Sequence, residues 1–125
     1  MAPMKICLIV DDSEIVRKYA RLILESLDYR TIEAESPSAA IDRLAGDTPH
    51  IILADWKIPG ANTLEFIGQV RRMNLTRRPY IIYLTTENDH AELDRAMVAG
   101  ADDFLLKPFN RDIMKMKLTE IRLAS

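Results

Sequence analysis

Cysteine occurs once in the 125 residues, as Cys7, so the chain has neither a disulfide pair nor a cluster of thiolates for a soft metal. Within the apolar run Ile6 to Val10, Cys7 reads as a small core residue. Glycine is scarce too. Gly46, Gly60, Gly68 and Gly100 are the only four, and none belongs to a GxGxxG or P-loop motif, the backbone cradle that nucleotide-binding enzymes require. No apolar stretch approaches the ~20 residues that span a bilayer. The opening MAPMKICLIVDD turns acidic too early for a signal peptide, and a cytoplasmic location is expected. The formal net charge of -2 gives no global pull toward nucleic acid or an anionic membrane. His50 and His90 lack partners at metal-ligand spacing and read as structural or surface residues.

With 48% hydrophobic and 29% charged residues, the chain has the composition of one compact domain, without repeats or linkers. Four continuous apolar runs stand out: Ile6 to Val10, Ile51 to Ala54, Tyr80 to Leu84 and Phe104 to Leu106. Continuity predicts strands buried on both faces, as in a parallel sheet covered by helices. Arg30 to Ala34 alternates instead, which predicts an edge strand. Between the runs, Val16, Tyr19, Ala20, Ile23 and Leu27 keep helical spacing, as do Leu93, Ala96 and Met97, and then Met114, Leu118 and Ile121. Ser36-Pro37 reads as a helix cap followed by proline at the first helical position, and Asn62 with Glu65 as a capping box. Gly46 and Gly100 are placed to end helices two and four. The order βαβαβαβαβα predicts a doubly wound α/β sheet with right-handed crossovers.

Ligands of such sheets bind outside the carboxyl ends of the strands. There the chain places Asp11-Asp12, Asp55, Thr85-Thr86 and Lys107-Pro108: three carboxylates, hydroxyls and an ammonium on one rim. Two like charges ~4 Å apart repel by roughly 4 kcal/mol at an effective dielectric of 20, so the acids need protons or a cation. An all-oxygen donor set without thiolate or imidazole selects Mg²⁺ or Mn²⁺. Asp55, alone at its strand end, is the candidate nucleophile toward phosphorus, with Asp11 and Asp12 better placed to hold metal. Lys107 and Thr85 are the candidate partners of the transferred oxygens.

These residues resemble the receiver domain of two-component response regulators, the chemotaxis regulators in particular. The resemblance rests on Val10-Asp11-Asp12-Ser13, Asp55-Trp56-Lys57-Ile58-Pro59, Leu84-Thr85 and Lys107-Pro108-Phe109, and covers essentially all of residues 1–125. It implies a five-stranded parallel sheet of order 2-1-3-4-5 with helices on both faces. It further implies Asp55 as phosphoacceptor, and Mg²⁺ held by Asp11, Asp12, Asp55 and the Lys57 carbonyl. Thr85 and Phe104 would be the switch pair, Lys107 the phosphoryl contact, and Lys107-Pro108 a cis bond. The implied activity is self-phosphorylation and dephosphorylation rather than turnover of a substrate. A histidine kinase or phosphotransfer protein would be the donor, and output would run through binding in trans at the helix-four, strand-five and helix-five surface, to a flagellar motor switch protein, a kinase or another regulator, without nucleic acid or membrane.

Thr86, Ile58 and Thr63 depart from residues usual in the family, and Lys57 and Glu87 are expected to pair over the site. Arg71, Arg72, Arg77 and Arg78 form a basic cluster without interleaved aromatics and read as a solvated face. Three alternatives stay open: an α/β enzyme, a receiver that acts without phosphorylation, and a receiver cut from a longer DNA-binding regulator. An aspartyl phosphatase would commonly carry a second acid where Lys57 stands. Intact Asp11, Asp12, Asp55, Thr85 and Lys107 argue against the degenerate receiver.

Overall fold

A computed structural model describes residues 4–121. Five strands alternate with five helices: β1 (Lys5–Val10), α1 (Glu14–Ser26), β2 (Tyr29–Ala34), α2 (Pro37–Leu44), β3 (Ile51–Asp55), α3 (Thr63–Arg72), β4 (Tyr80–Thr85), α4 (His90–Ala99), β5 (Asp103–Leu106) and α5 (Arg111–Glu120). The strands form one sheet in the order β2-β1-β3-β4-β5, all pairs parallel. This is the doubly wound α/β architecture expected from the run order.

The three central strands are apolar at nearly every position because both their faces are covered. Leu8, Val10, Ile52, Ala54, Ile81 and Tyr83 face α2, α3 and α4 through Leu44, Phe66, Ile67 and Ala96. Cys7, Ile9, Ile51, Leu53, Ile82 and Leu84 face α1 and α5 through Ile23, Leu24, Met114 and Leu118. Fully burying such a side chain is worth about 1.5–3 kcal/mol, which makes these strands the stable frame of the rim.

Five side-chain caps start the five helices: Ser13, Ser36, Asn62, Asp89 and Asn110 each accept a backbone N–H of the first turn. Such a cap is worth about 1 kcal/mol. Ser13, the first of them, follows the acid pair directly, so the turn that caps α1 also shapes the rim. Gly100 ends α4 as expected, at φ 125, a conformation open to glycine. Gly46 does not serve that way. Ala45 in helical conformation caps α2, and the Gly46 N–H only bonds back to the Arg43 carbonyl. Asp28 at φ 68 makes the left-handed turn after α1.

Two pattern-based expectations are corrected. β5 is not buried on both faces: it lies at the sheet edge, and Leu106 is 38% exposed. Tyr19 and Met97 keep helical spacing yet are also exposed, whereas Leu24 takes a core place in α1. The Tyr19 ring is amphipathic and reaches across to donate its hydroxyl to the Phe109 carbonyl.

Candidate functional site

The parallel register brings the strand ends level, with Val10 beside Ala54, Asp55 beside Leu84 and Thr85 beside Leu106. Asp11, Asp12 and Asp55 thereby converge: one carboxylate oxygen from each lies within 4.8 Å of the others. Asp11 and Asp55 are buried and Asp12 is exposed, so the cluster is open to solvent on one side.

Lys107 comes in from the end of β5. Its Nζ donates to Asp55 Oδ1 at 2.8 Å and to Asp11 Oδ2 at 3.4 Å. Burial pushes the Asp55 carboxyl above its ordinary pKa, and the nearby Asp11 charge adds to this. The hydrogen bond and charge of Lys107 pull it back only in part. Burial works against the Lys107 ammonium, but its bond to Asp55 and the charges of Asp55 and Asp11 outweigh that, so its pKa is raised. Three carboxylates against one ammonium leave a charge of -2 when all are ionised. An oxygen-only set with that charge fits a hard divalent cation such as Mg²⁺.

Backbone bonds hold the rim. The Lys107 N–H bonds the Thr85 carbonyl at 2.9 Å and the Trp56 N–H bonds the Leu84 carbonyl at 2.8 Å. The Lys107-Pro108 bond is cis, as expected. Thr63 donates its buried hydroxyl to the Asp55 carbonyl at 2.7 Å and so ties α3 to the acid. Thr85 is fully buried, and its hydroxyl accepts the Glu87 N–H at 3.0 Å. Among the described residues no hydrogen bond joins that hydroxyl to Asp55. Phe104 is half-buried at the sheet edge, packed against the core and under Lys117 Nζ at 5.8 Å from its ring centre.

Lys57 and Glu87 do not pair. The Lys57 ammonium instead lies 5.8 Å from the Trp56 ring, where cation and π face attract without ordering a second flexible chain.

The basic cluster is not a solvated face throughout. Arg71, with 16% of its side chain exposed, donates to the Gly100 and Pro79 carbonyls at 2.8 Å and to Asp102 Oδ2 at 2.6 Å. It clamps the ends of α3 and α4 to the start of β4, and Arg78 joins through Asp102 Oδ1. Arg77 donates to the Thr48 carbonyl. His50 is structural, its Nδ1 accepting the Ile6 N–H at 3.0 Å, and His90 lies exposed at the start of α4.

Two residues next to the rim escaped the sequence reading. Tyr83, buried two positions before Thr85, donates its hydroxyl to Glu92 Oε1 in the first turn of α4 at 2.9 Å. Arg17, in the first turn of α1, donates to the Asp11 carbonyl. Six residues from Asp11, it falls on no helical or strand repeat that would have joined it to the acids.

Among the described residues the one cluster of three acids crowns the carboxyl edge of an open doubly wound sheet, its two buried aspartates held by a lysine that follows the last strand. The chain belongs to the response regulator receiver domain family, whose model matches residues 7–119. It is 34% identical over 113 residues to chemotaxis protein CheY1 of Helicobacter pylori (strain J99), covering 89% of this chain and 91% of that protein. It is 32% identical over 103 residues to the phosphate regulon transcriptional regulatory protein PhoB of Escherichia coli (strain K12). That match covers 82% of this chain and 45% of PhoB, so the chain spans about half the length of that relative. Among solved structures, CheY4 of Vibrio cholerae at low pH superposes with a TM-score of 0.90 at 26% identity, covering 96% of this chain and 100% of that one. The chain is a receiver domain of a two-component response regulator. Among the described residues no helix is long and apolar enough to cross a membrane.

Proposed function

We propose that Asp55 accepts a phosphoryl group from a histidine kinase or phosphotransfer protein, and that the phosphorylated domain signals in the cytoplasm by binding a protein partner. The observation that carries this reading is the contact of the Lys107 ammonium with a buried Asp55 whose ionised form is otherwise disfavoured. An Asp55 oxygen attacks phosphorus, the bond from phosphorus to the donor breaks, and the donor leaves with the electron pair of that bond. Lys107 lies where it can transfer its hydrogen bond from Asp55 to a phosphoryl oxygen. Thr85 would exchange its Glu87 bond for a second one, which draws the end of β4 toward the site. Asp11, Asp12, Asp55 and the Lys57 carbonyl would hold Mg²⁺, which neutralises charge on the transferring group when bound. The domain modifies itself and turns over no separate substrate.

A phosphoryl group adds about -1.5 to -2 charges at neutral pH, ample to shift a loop held by single hydrogen bonds. Output through α4, β5 and α5 is supported by exposed Val98, Leu106, Ile113 and Met116, beside a groove of about 430 Å³ lined in part by Phe104 and Pro108. The likeness to CheY1 favours a chemotaxis partner. The likeness to PhoB favours a second reading, the receiver part of a transcriptional regulator.

Trp56, half-buried beside Asp55, reports on the site. Its fluorescence is expected to change on addition of Mg²⁺ and again on addition of acetyl phosphate, with the second change lost in Asp55→Asn. A parent protein silent to both would sink the proposal.

A further inference from the structure

Asp12 is the least supported member of the acid cluster. It is exposed, and among the described residues its carboxylate has no hydrogen-bond partner. Its direction therefore depends on the peptide planes around it. Asp11 is fixed at every polar atom. Its N–H bonds the Ala34 carbonyl at 3.1 Å, Oδ1 accepts the Ser13 N–H at 2.9 Å, and Oδ2 faces Lys107. The remaining atom is the carbonyl oxygen, which belongs to the peptide plane leading into Asp12. Arg17 Nη1 holds it at 2.8 Å, while Arg17 Nε bonds Glu33 Oε1 at 3.1 Å. With 14% of its side chain exposed, Arg17 is pinned between the edge strand β2 and the acid loop.

Charge alone makes this a poor place for a cation. Arg17 sits in the first turns of α1, where the helix dipole disfavours positive charge, and near a site that must attract a divalent cation. Glu33 compensates the charge, and Arg21 Nε shares Glu33 from 3.3 Å. What Arg17 adds is geometric.

We infer that Arg17 is a positioning residue for the acid loop: by holding the Asp11 carbonyl it orients Asp12 toward a divalent cation shared with Asp11 and Asp55. The inference rests on the proposed Mg²⁺ site. Geometry and charge make opposite predictions here. If Arg17 acted only through its charge, removing it would tighten Mg²⁺ binding. If it positions the loop, removal weakens binding even though an adverse charge has gone.

The experiment is calorimetric titration of Mg²⁺ into the unphosphorylated protein and three variants, each checked for folding by circular dichroism. Arg17→Met keeps the aliphatic stem and is expected to bind Mg²⁺ about tenfold more weakly, the low end of the loss seen when a group supporting a metal ligand is removed. Arg17→Lys keeps one donor and is expected to recover part of that loss, and remains available should Arg17→Met not fold. Arg21→Met disturbs Glu33 without touching the loop and is expected to bind as the parent does. Parent-like or tighter binding by the Arg17 variants, or an equal loss in Arg21→Met, overturns the inference alone. No Mg²⁺ uptake by the parent overturns the proposed site and the inference with it.

Discussion

Replacing Lys107 with Met removes the ammonium between Asp55 and Asp11 and leaves a side chain of similar length. Breaking a buried ion pair from one side typically costs about 3–5 kcal/mol. Lys107 is 20% exposed, against 6% for the Asp55 side chain, so partial solvation reduces the expected loss to about 2–3 kcal/mol. For a chain of this size that is roughly a 10 °C lower melting point in EDTA. The loss depends on pH in a definite direction. The Asp55 pKa is raised in the fold, so its ionised form disfavours folding, and that penalty appears as pH rises from the ordinary Asp value through the raised one. The Lys107 contribution is complete below the ordinary Lys pKa and fades only as pH rises through its own raised value. The gap between parent and Lys107→Met is therefore wide at neutral pH and narrows in acid, as Asp55 takes up a proton. Removing the ammonium also takes the ionised cluster from -2 to -3. Mg²⁺ is then expected to bind about tenfold tighter or more and to restore much of the melting point. Differential scanning calorimetry across pH, with EDTA or MgCl₂, reads all of this. Equal melting points for the two proteins in EDTA, together with equal Mg²⁺ affinities, would refute the claim that Lys107 balances the acids.

Further outcomes follow from other contacts. A Cβ on Gly100 would lie 2.6 Å from Arg71 Cγ at a φ of 125, so Gly100→Ala is expected to destabilise by about 2–4 kcal/mol in urea unfolding, from backbone strain plus a disturbed Arg71 clamp. An unchanged urea midpoint would show that the clamp gives way freely. Tyr83→Phe leaves Glu92 without its partner and should cost about 1–2 kcal/mol by the same measurement, with no loss if that bond is made equally well to water. Burial, with the charges of Arg77 and Lys5, lowers the His50 pKa from 6.5, so its contribution is present above that value and lost as pH falls through the lowered one. His50→Asn, whose amide oxygen can take the Ile6 N–H, is expected to flatten the acid side of the stability profile. A parallel profile would refute this.

The rim was legible because each group follows its own apolar run, and strands of a parallel sheet end at one edge: Asp11, Asp55, Thr85 and Lys107 needed no contact to be read together. The helix caps at Ser36 and Asn62 were legible for the same local reason. The Arg71 clamp was not, because its partners Pro79, Gly100 and Asp102 lie 8 to 31 residues away, and tertiary packing alone makes a surface-like arginine a structural one. Exposure of Leu106 could not be read from an apolar triplet, since only strand order makes β5 an edge. The Lys57 side chain turned to Trp56 rather than Glu87, a choice between two short-range attractions that spacing leaves undecided.

Phosphoryl transfer to Asp55 is tested most directly by intact-protein and peptide mass spectrometry after incubation with Mg²⁺ and a small phosphodonor such as acetyl phosphate. The account expects the mass of one phosphoryl group, base-labile, mapped to the peptide carrying Asp55 and absent from Asp55→Asn. No added mass in the parent, or a label that persists in Asp55→Asn, would contradict it.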